Sequence, residues 1–189
     1  YDHDLNIPVF SLPQVCPSCG EKVVRFSDEA ATRCINPECP GQAVRNIIYF
    51  ASKDAEFSVE GNIMSLIDST GFTTATTLSS AYTFLDLFYE CTGLTSAENL
   101  VLPATSLTES CYFEMFYGCT GLITAPALPA TELTMYCYAD MFCNCTSLTT
   151  APALPATTLA TGCYAEMFSN CSNLNYIKCF ATDISAEGC

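Results

Sequence analysis

The feature that most constrains this chain is a 26-residue beat. Cys119, Cys145 and Cys171 fall 26 apart, and Cys91 precedes Cys119 by 28, with a two-residue insertion in SAENLVLPA. Cys111, Cys137, Cys163 and Cys189 form a second series at the same interval. Leu107, Leu133 and Leu159 keep it, as do Met115, Met141 and Met167, then Phe116, Phe142 and Phe168, then Leu122, Leu148 and Leu174. The shared phrase is LPATxLxxxCYxxMFxxCxxLxxAPA. One such unit cannot bury its apolar side alone. Stacked units can, and each recurring position then becomes a column.

A period of 26 lies inside the range of roughly 20–29 residues of leucine-rich repeats. On that reading the CxxL segment is a strand. The Pro-bounded APALPAT crosses a corner, because Pro cannot donate to a ladder. LxxxCYxxMF returns as a second short strand or a helical turn, its Leu, Cys, Met and Phe facing inward. The first unit is degenerate, with Thr83 where Cys would stand. The phrase resembles the BspA-like leucine-rich repeats of bacterial surface proteins. That resemblance implies a scaffold for adhesion or interaction and brings no catalytic residues.

The preceding segment follows another rule. Cys16, Cys19, Cys34 and Cys39 sit in CPSCGEKVVRFSDEAATRCINPECP, spaced C-x2-C, fourteen residues, C-x4-C. Two short knuckles joined by such a loop can bring four thiolates around one zinc ion, and a site closed by four protein ligands is structural. Two disulfides are the alternative, although paired short spacings favour the metal. KVVRF and EAATRC read as a small hairpin. The stretch CPSCGEKVVRFSDEAATRCINPECPGQAVRNIIYFASKDA resembles the four-cysteine zinc finger of bacterial NAD-dependent DNA ligases. The resemblance implies Cys16, Cys19, Cys34 and Cys39 as zinc ligands. It implies Arg25, Arg33, Arg45 and Lys53 as phosphate contacts. The family continues into a helix-hairpin-helix; here FSVEGNIMSLIDSTGF keeps Gly61 without its partner glycine. Ile63, Leu66 and Ile67 have helical spacing and are expected to pack on Ile47, Ile48 and Phe50.

Charge divides the chain in the same place. Residues 1–60 carry Lys22, Arg25, Arg33, Arg45 and Lys53 against nine acids, a net of −4, while residues 61–189 carry Lys178 against eleven acids, a net of −10. The second part is therefore a poor nucleic-acid binder. The cysteine columns read as buried thiols, with disulfides between adjacent rungs the geometric alternative. The recurring Glu114, Asp140 and Glu166, with Glu90, Glu109 and Glu132, read as a solvated face. His3 is the only histidine and stands beside Asp2 and Asp4. No phosphate loop, dinucleotide fingerprint or catalytic-lysine motif occurs, so no enzyme is expected.

No apolar run reaches the roughly 18 residues of a membrane span. YDHDLNIPVF places acids where a signal peptide has basic residues. Beginning at Tyr1 without Met, the chain reads as a processed product or an internal fragment. The cytoplasm is the expected compartment, with the cell surface or secretion as the alternative.

The resulting expectation is an α+β chain. Residues 1–14 are a tail, 15–45 a four-cysteine zinc finger holding one structural Zn2+, and 46–75 a helical connector. Residues 76–189 form a leucine-rich-repeat solenoid of about four units. The expected function is a non-catalytic protein-interaction scaffold whose partner docks on the solenoid, with weak DNA contact through the finger. The alternatives are a DNA-binding accessory derived from the ligase, and an acidic nucleic-acid mimic that blocks a basic protein.

Overall fold

The computed structural model describes residues 14–15, 22–24, 33–34, 55–68 and 70–189. The chain divides into two compact units, Tyr1–Ile48 and Tyr49–Cys189. In the first, β1 (Gln14–Val15), β2 (Lys22–Val24) and β3 (Arg33–Cys34) form an antiparallel sheet in the order β1-β2-β3. Val15 pairs with Lys22, and Val23 pairs with Cys34. The β2–β3 pairing lies within KVVRF and EAATRC, the two segments read as a hairpin.

The second unit opens with β4 (Phe57–Asn62), which pairs in parallel with β5 (Leu94–Val101). A four-residue 3-10 turn, Ile63–Leu66, follows β4. The Asn62 side chain caps that turn by accepting from the Met64 N–H at 2.9 Å. Gly61, at φ 94, takes a conformation a helix interior excludes.

The fold expectation is corrected here. Among the described residues there is no α-helix, and the second unit has one two-stranded sheet. Where the connector reaches described residues it is a strand and a 3-10 turn. Ile63 is buried, but Leu66 and Ile67 are 38% and 47% exposed. Ile47, Ile48 and Phe50 lie outside the described residues. The strand-and-helix layers of a leucine-rich-repeat solenoid are absent among the described residues. Past β5 the repeats touch through single parallel bridges, Ser96 with Thr124 and Thr124 with Thr150. Proline explains the difference. SAENLV has no Pro, so β5 runs eight residues, whereas Pro126 and Pro152 stand two residues beyond the bridging threonines and have no N–H to extend the ladder.

What replaces the helix is a turn of period four. The backbone has positive φ at Tyr82, Asp86 and Glu90, at Ser110, Glu114 and Gly118, at Tyr136, Asp140 and Asn144, and at Gly162, Glu166 and Asn170. A left-handed residue at every fourth position forbids the α-helix. The intervening N–H groups divide their partners by parity. Those of Ser110, Tyr112, Glu114, Phe116 and Gly118 donate across the stack to the carbonyls of Met135, Cys137, Ala139, Met141 and Cys143. Those of Cys111, Phe113, Met115, Tyr117 and Cys119 donate three residues back within their own turn. Both kinds of buried donor are thereby satisfied without helix or sheet.

The core forms where these turns stack. Phe84, Tyr112, Tyr138 and Tyr164 make one column, with successive ring centroids 5.7, 5.5 and 6.0 Å apart. Phe88, Phe116, Phe142 and Phe168 make another at 5.2, 5.3 and 5.7 Å. All six pairs lie within 12° of parallel, and such contacts contribute roughly 0.5–1.5 kcal/mol each beyond area burial. Met115, Met141, Leu122 and Leu148 are buried as well. Leu133, Leu159 and Leu174 are only half-buried, so the outer columns are less complete than the period implied. No helix among the described residues is long and apolar enough to cross a membrane.

Candidate functional site

The first unit offers a metal centre, and its topology can be followed strand by strand. β1 ends at Val15, directly before Cys16. β2 begins at Lys22, paired with Val15, so the connection carrying Cys16 and Cys19 leaves and re-enters at one end of the sheet. β3 delivers Cys34 to that same end, because it runs antiparallel to β2 and finishes there. Cys39 follows five residues on. Thus Val15 and Cys34, the described residues at the borders of the two knuckles, lie toward one end of a three-stranded sheet, a placement compatible with a four-thiolate zinc centre. Four thiolates and no histidine suit a soft, tetrahedral ion, and the residues present fit Zn2+.

Of the expected ligands, Cys34 is placed as a strand position, and Cys16, Cys19 and Cys39 lie outside the described residues. Of the expected phosphate contacts, Arg33 is placed in β3 opposite Val24. Arg25, Arg45 and Lys53, like His3, lie outside the described residues.

The second unit brings its cysteines into columns, but not into a metal centre. Among the described residues no group of three or more His, Cys, Asp or Glu could hold an ion. Cys91, Cys111, Cys119, Cys137, Cys143, Cys145, Cys163 and Cys171 are buried, and Cys179 and Cys189 are exposed. Burial pushes the thiols of Cys111 and Cys137 up to about 12, and those of Cys119 and Cys145 up as well. A buried neutral thiol is neither a nucleophile nor a ligand at neutral pH. The buried members of the two 26-residue series are core groups, as their periodicity implied.

The acidic slot departs from expectation. Glu114 and Asp140 are half-buried, and Asp86, which sequence reasoning missed, stands in the same column one turn earlier. Burial raises the Glu114 carboxyl to about 7, aided by the charge of Asp86, a hydrogen bond with it and the charge of Asp140. Burial and the charge of Glu166 raise Asp140 too. Glu90, Glu109, Glu132 and Glu166 are exposed, so the solvated face is real but excludes the middle of this column. The signal that could have found Asp86 is its place 28 residues before Glu114, the spacing that separates Cys91 from Cys119.

Comparison with known proteins bears on the first unit. Residues 15–40 match the family described as the NAD-dependent DNA ligase C4 zinc finger domain, a zinc-binding module. A DNA ligase from Lactobacillus helveticus is 54% identical over 46 residues, which are 24% of this chain and 7% of that protein. A DNA ligase from Lactobacillus johnsonii is 53% identical over 57 residues, 30% of this chain and 8% of that protein. A DNA ligase from Lacticaseibacillus paracasei is 52% identical over 50 residues, 26% of this chain and 7% of that protein. The chain therefore spans less than a tenth of the length of these relatives. No solved structure matches it. Zinc is the cofactor that the finger brings to this chain.

Proposed function

We propose that the first unit is a DNA-contact module of the NAD-dependent DNA ligase type, acting as a non-catalytic accessory or fragment. The carrying observation is the family match at residues 15–40, with Val15 and Cys34, which border the two knuckles, toward one end of a sheet. Zinc fixes the knuckles in this reading, and Arg25, Arg33, Arg45 and Lys53 meet duplex phosphates. A net charge of −4 over residues 1–60 supports modest affinity, and phosphate contacts by the four basic side chains make that binding salt-dependent. Buried reduced thiols and a thiolate-held ion both suit a reducing compartment, so the cytoplasm is the location we assign.

The test is a fluorescence-anisotropy titration of nicked duplex with the zinc-loaded chain across a salt series. Binding should weaken with salt, and changing Arg25 and Arg33 together to Ala should reduce the salt slope by about 2. Stripping zinc with a chelator should abolish binding. Salt-independent binding, or binding untouched by the double variant, sinks the reading. Incubation with NAD and nicked DNA should give neither sealing nor protein adenylation; either product overturns the non-catalytic part.

A second reading concerns Tyr49–Cys189 alone. Tyr176, Ile177, Phe180 and Ile184 are 59%, 47%, 46% and 77% exposed, which supports a protein-contact surface of the kind BspA-like surface proteins imply. Concentration-dependent association that a Tyr176→Asp, Phe180→Asp variant removes would support it. Sedimentation as a monomer at every concentration, with no cross-linked partner, would not.

A further inference from the structure

We propose that the stacked pair Tyr89 and Tyr117, with the carboxyl groups of Asp86, Glu90 and Glu114 beside it, is a docking surface for an arginine-bearing segment of a partner protein. The two rings lie 5.0 Å apart and 3° from parallel. The aromatic columns of the core run through four turns, but this stack ends after two. Cys143 and Ser169 hold the next positions at the same spacing. Tyr89 is 36% exposed and Tyr117 is half-buried, so the pair belongs to the surface. Tyrosine anchors protein contacts well, because its ring buries much area at little entropic cost and its hydroxyl stays polar.

The backbone holds the rings and the acids as one unit. The Tyr89 N–H donates to the Asp86 carbonyl at 3.1 Å, and the Tyr117 N–H donates to the Glu114 carbonyl at 3.0 Å. Each tyrosine is thereby tied to the acid three residues before it. Across the stack, the Asp86 N–H donates to the Phe113 carbonyl at 3.2 Å and the Glu90 N–H to the Tyr117 carbonyl at 2.7 Å. Those two bonds clamp together the turns that carry the rings. Gly118, at φ 69, leaves room for the third acid: a Cβ there would stand 3.2 Å from the Glu90 Cγ.

Charge sets the chemistry of the occupant. Burial, then the charges of Glu90, Glu114, Tyr117 and Asp86, push the Tyr89 hydroxyl up, so all three acids act on this ring. Residues 54–177 contain no Lys, Arg or His, and this stretch supplies the face with no cation of its own. A cation held against both an aromatic ring and a carboxylate gains from each. Guanidinium suits the pair better than ammonium, since its flat face stacks on a ring while its fork donates to a carboxylate. Glu114 adds a pH dependence. Asp86 faces it from the turn before and Asp140 from the turn after, and Tyr89 and Cys143 also lie within its field. Burial and the two neighbouring acids raise Glu114 to about 7. Above that value the face gains a negative charge, while arginine stays charged throughout.

The experiment titrates the full zinc-loaded chain with the peptide Gly-Arg-Gly-Arg-Gly and with its counterpart carrying citrulline for arginine, following the tyrosine ring signals by NMR. The arginine peptide should shift the signals of Tyr89 and Tyr117, and the citrulline peptide should leave them in place. Tyr89→Ala and Tyr117→Ala together should weaken binding about tenfold, the loss expected of two exposed cation–π contacts. Raising the pH from about 6 to about 8 should tighten binding about fivefold, the effect of one unit charge near about 4 Å in water. Glu114→Gln should remove that gain. Unmoved tyrosine signals, equal shifts with the citrulline peptide, or equal binding at both pH values would each overturn the proposal. Self-association in sedimentation that the double tyrosine variant removes would give the face to a second copy and overturn the partner reading. The ring signals and the pH pair are read on the unaltered chain, so they decide the matter even where a variant fails to fold.

Discussion

The thiol of Cys145 donates to the carbonyl of Phe116, 29 positions earlier, at 3.1 Å. The same carbonyl accepts the Cys119 N–H at 3.2 Å, so both of its lone pairs are used. Phe88 and Phe142 repeat the arrangement with Cys119 and Cys171, at 3.0 Å in each case. The column is therefore cysteine for two reasons. The side chain is small and apolar enough for the core, and it supplies one donor where a carbonyl would otherwise be half satisfied.

Replacing Cys145 by Ala should destabilise the second unit by about 1–3 kcal/mol, from a small void and an unmet acceptor together. Urea denaturation followed by tyrosine fluorescence would measure it. A midpoint unchanged within error would mean the thiol–carbonyl bond adds nothing to packing.

Glu114 makes stability depend on pH. Its folded value, about 7, lies above its ordinary value of 4.5, so the native state binds the proton more tightly than the unfolded chain does. Its contribution is intact below 4.5 and is lost as pH rises toward 7. Glu114→Gln should thus raise Tm near about pH 8 and change it little near about pH 4. Equal shifts at both values would show that the Asp86–Glu114–Asp140 column carries no titration penalty.

Tyr138 is 1% exposed, and its hydroxyl has no hydrogen-bond partner among the described residues. Tyr112 in the same column shares that state. Removing an unmet buried hydroxyl while keeping the ring should stabilise, so Tyr138→Phe is expected to gain about 1 kcal/mol. Thermal unfolding reads this directly, and a loss of Tm would reveal a bond to the hydroxyl.

Gly121 sits where adjacent turns nearly touch. A Cβ there would overlap the Thr92 carbonyl oxygen, a backbone atom that cannot swing aside. Gly121→Ala should therefore cost about 1–3 kcal/mol, with the aromatic columns forced apart locally. Near-ultraviolet circular dichroism alongside the melt would distinguish this from a loss spread through the whole unit.

Much of this was legible in the chain itself. The 26-residue beat located the columns, and the buried Met115, Met141, Phe116, Phe142, Leu122 and Leu148 fall on it. The spacing of Cys16, Cys19, Cys34 and Cys39 marked the finger before any strand was placed. What the pattern misread was the local conformation. Leu107, Cys111, Met115 and Cys119 recur every four residues. That interval is near the 3.6-residue turn of an α-helix, and equally fits a four-residue turn with one left-handed position.

Periodicity by itself determined which side chains share a column, because identical units stack only in register. The tertiary structure decided the backbone. Alternate N–H groups, such as those of Tyr112 and Phe116, find their acceptors on Cys137 and Met141 of the next turn, at 3.0 and 2.9 Å. Those partners lie 25 residues away in sequence, so no local propensity records them. Once half the donors are committed across the stack, the i-to-i−4 bonds of a helix have none to use. The same stacking draws Asp86, Glu114 and Asp140 together, turning three surface-like acids into a half-buried column.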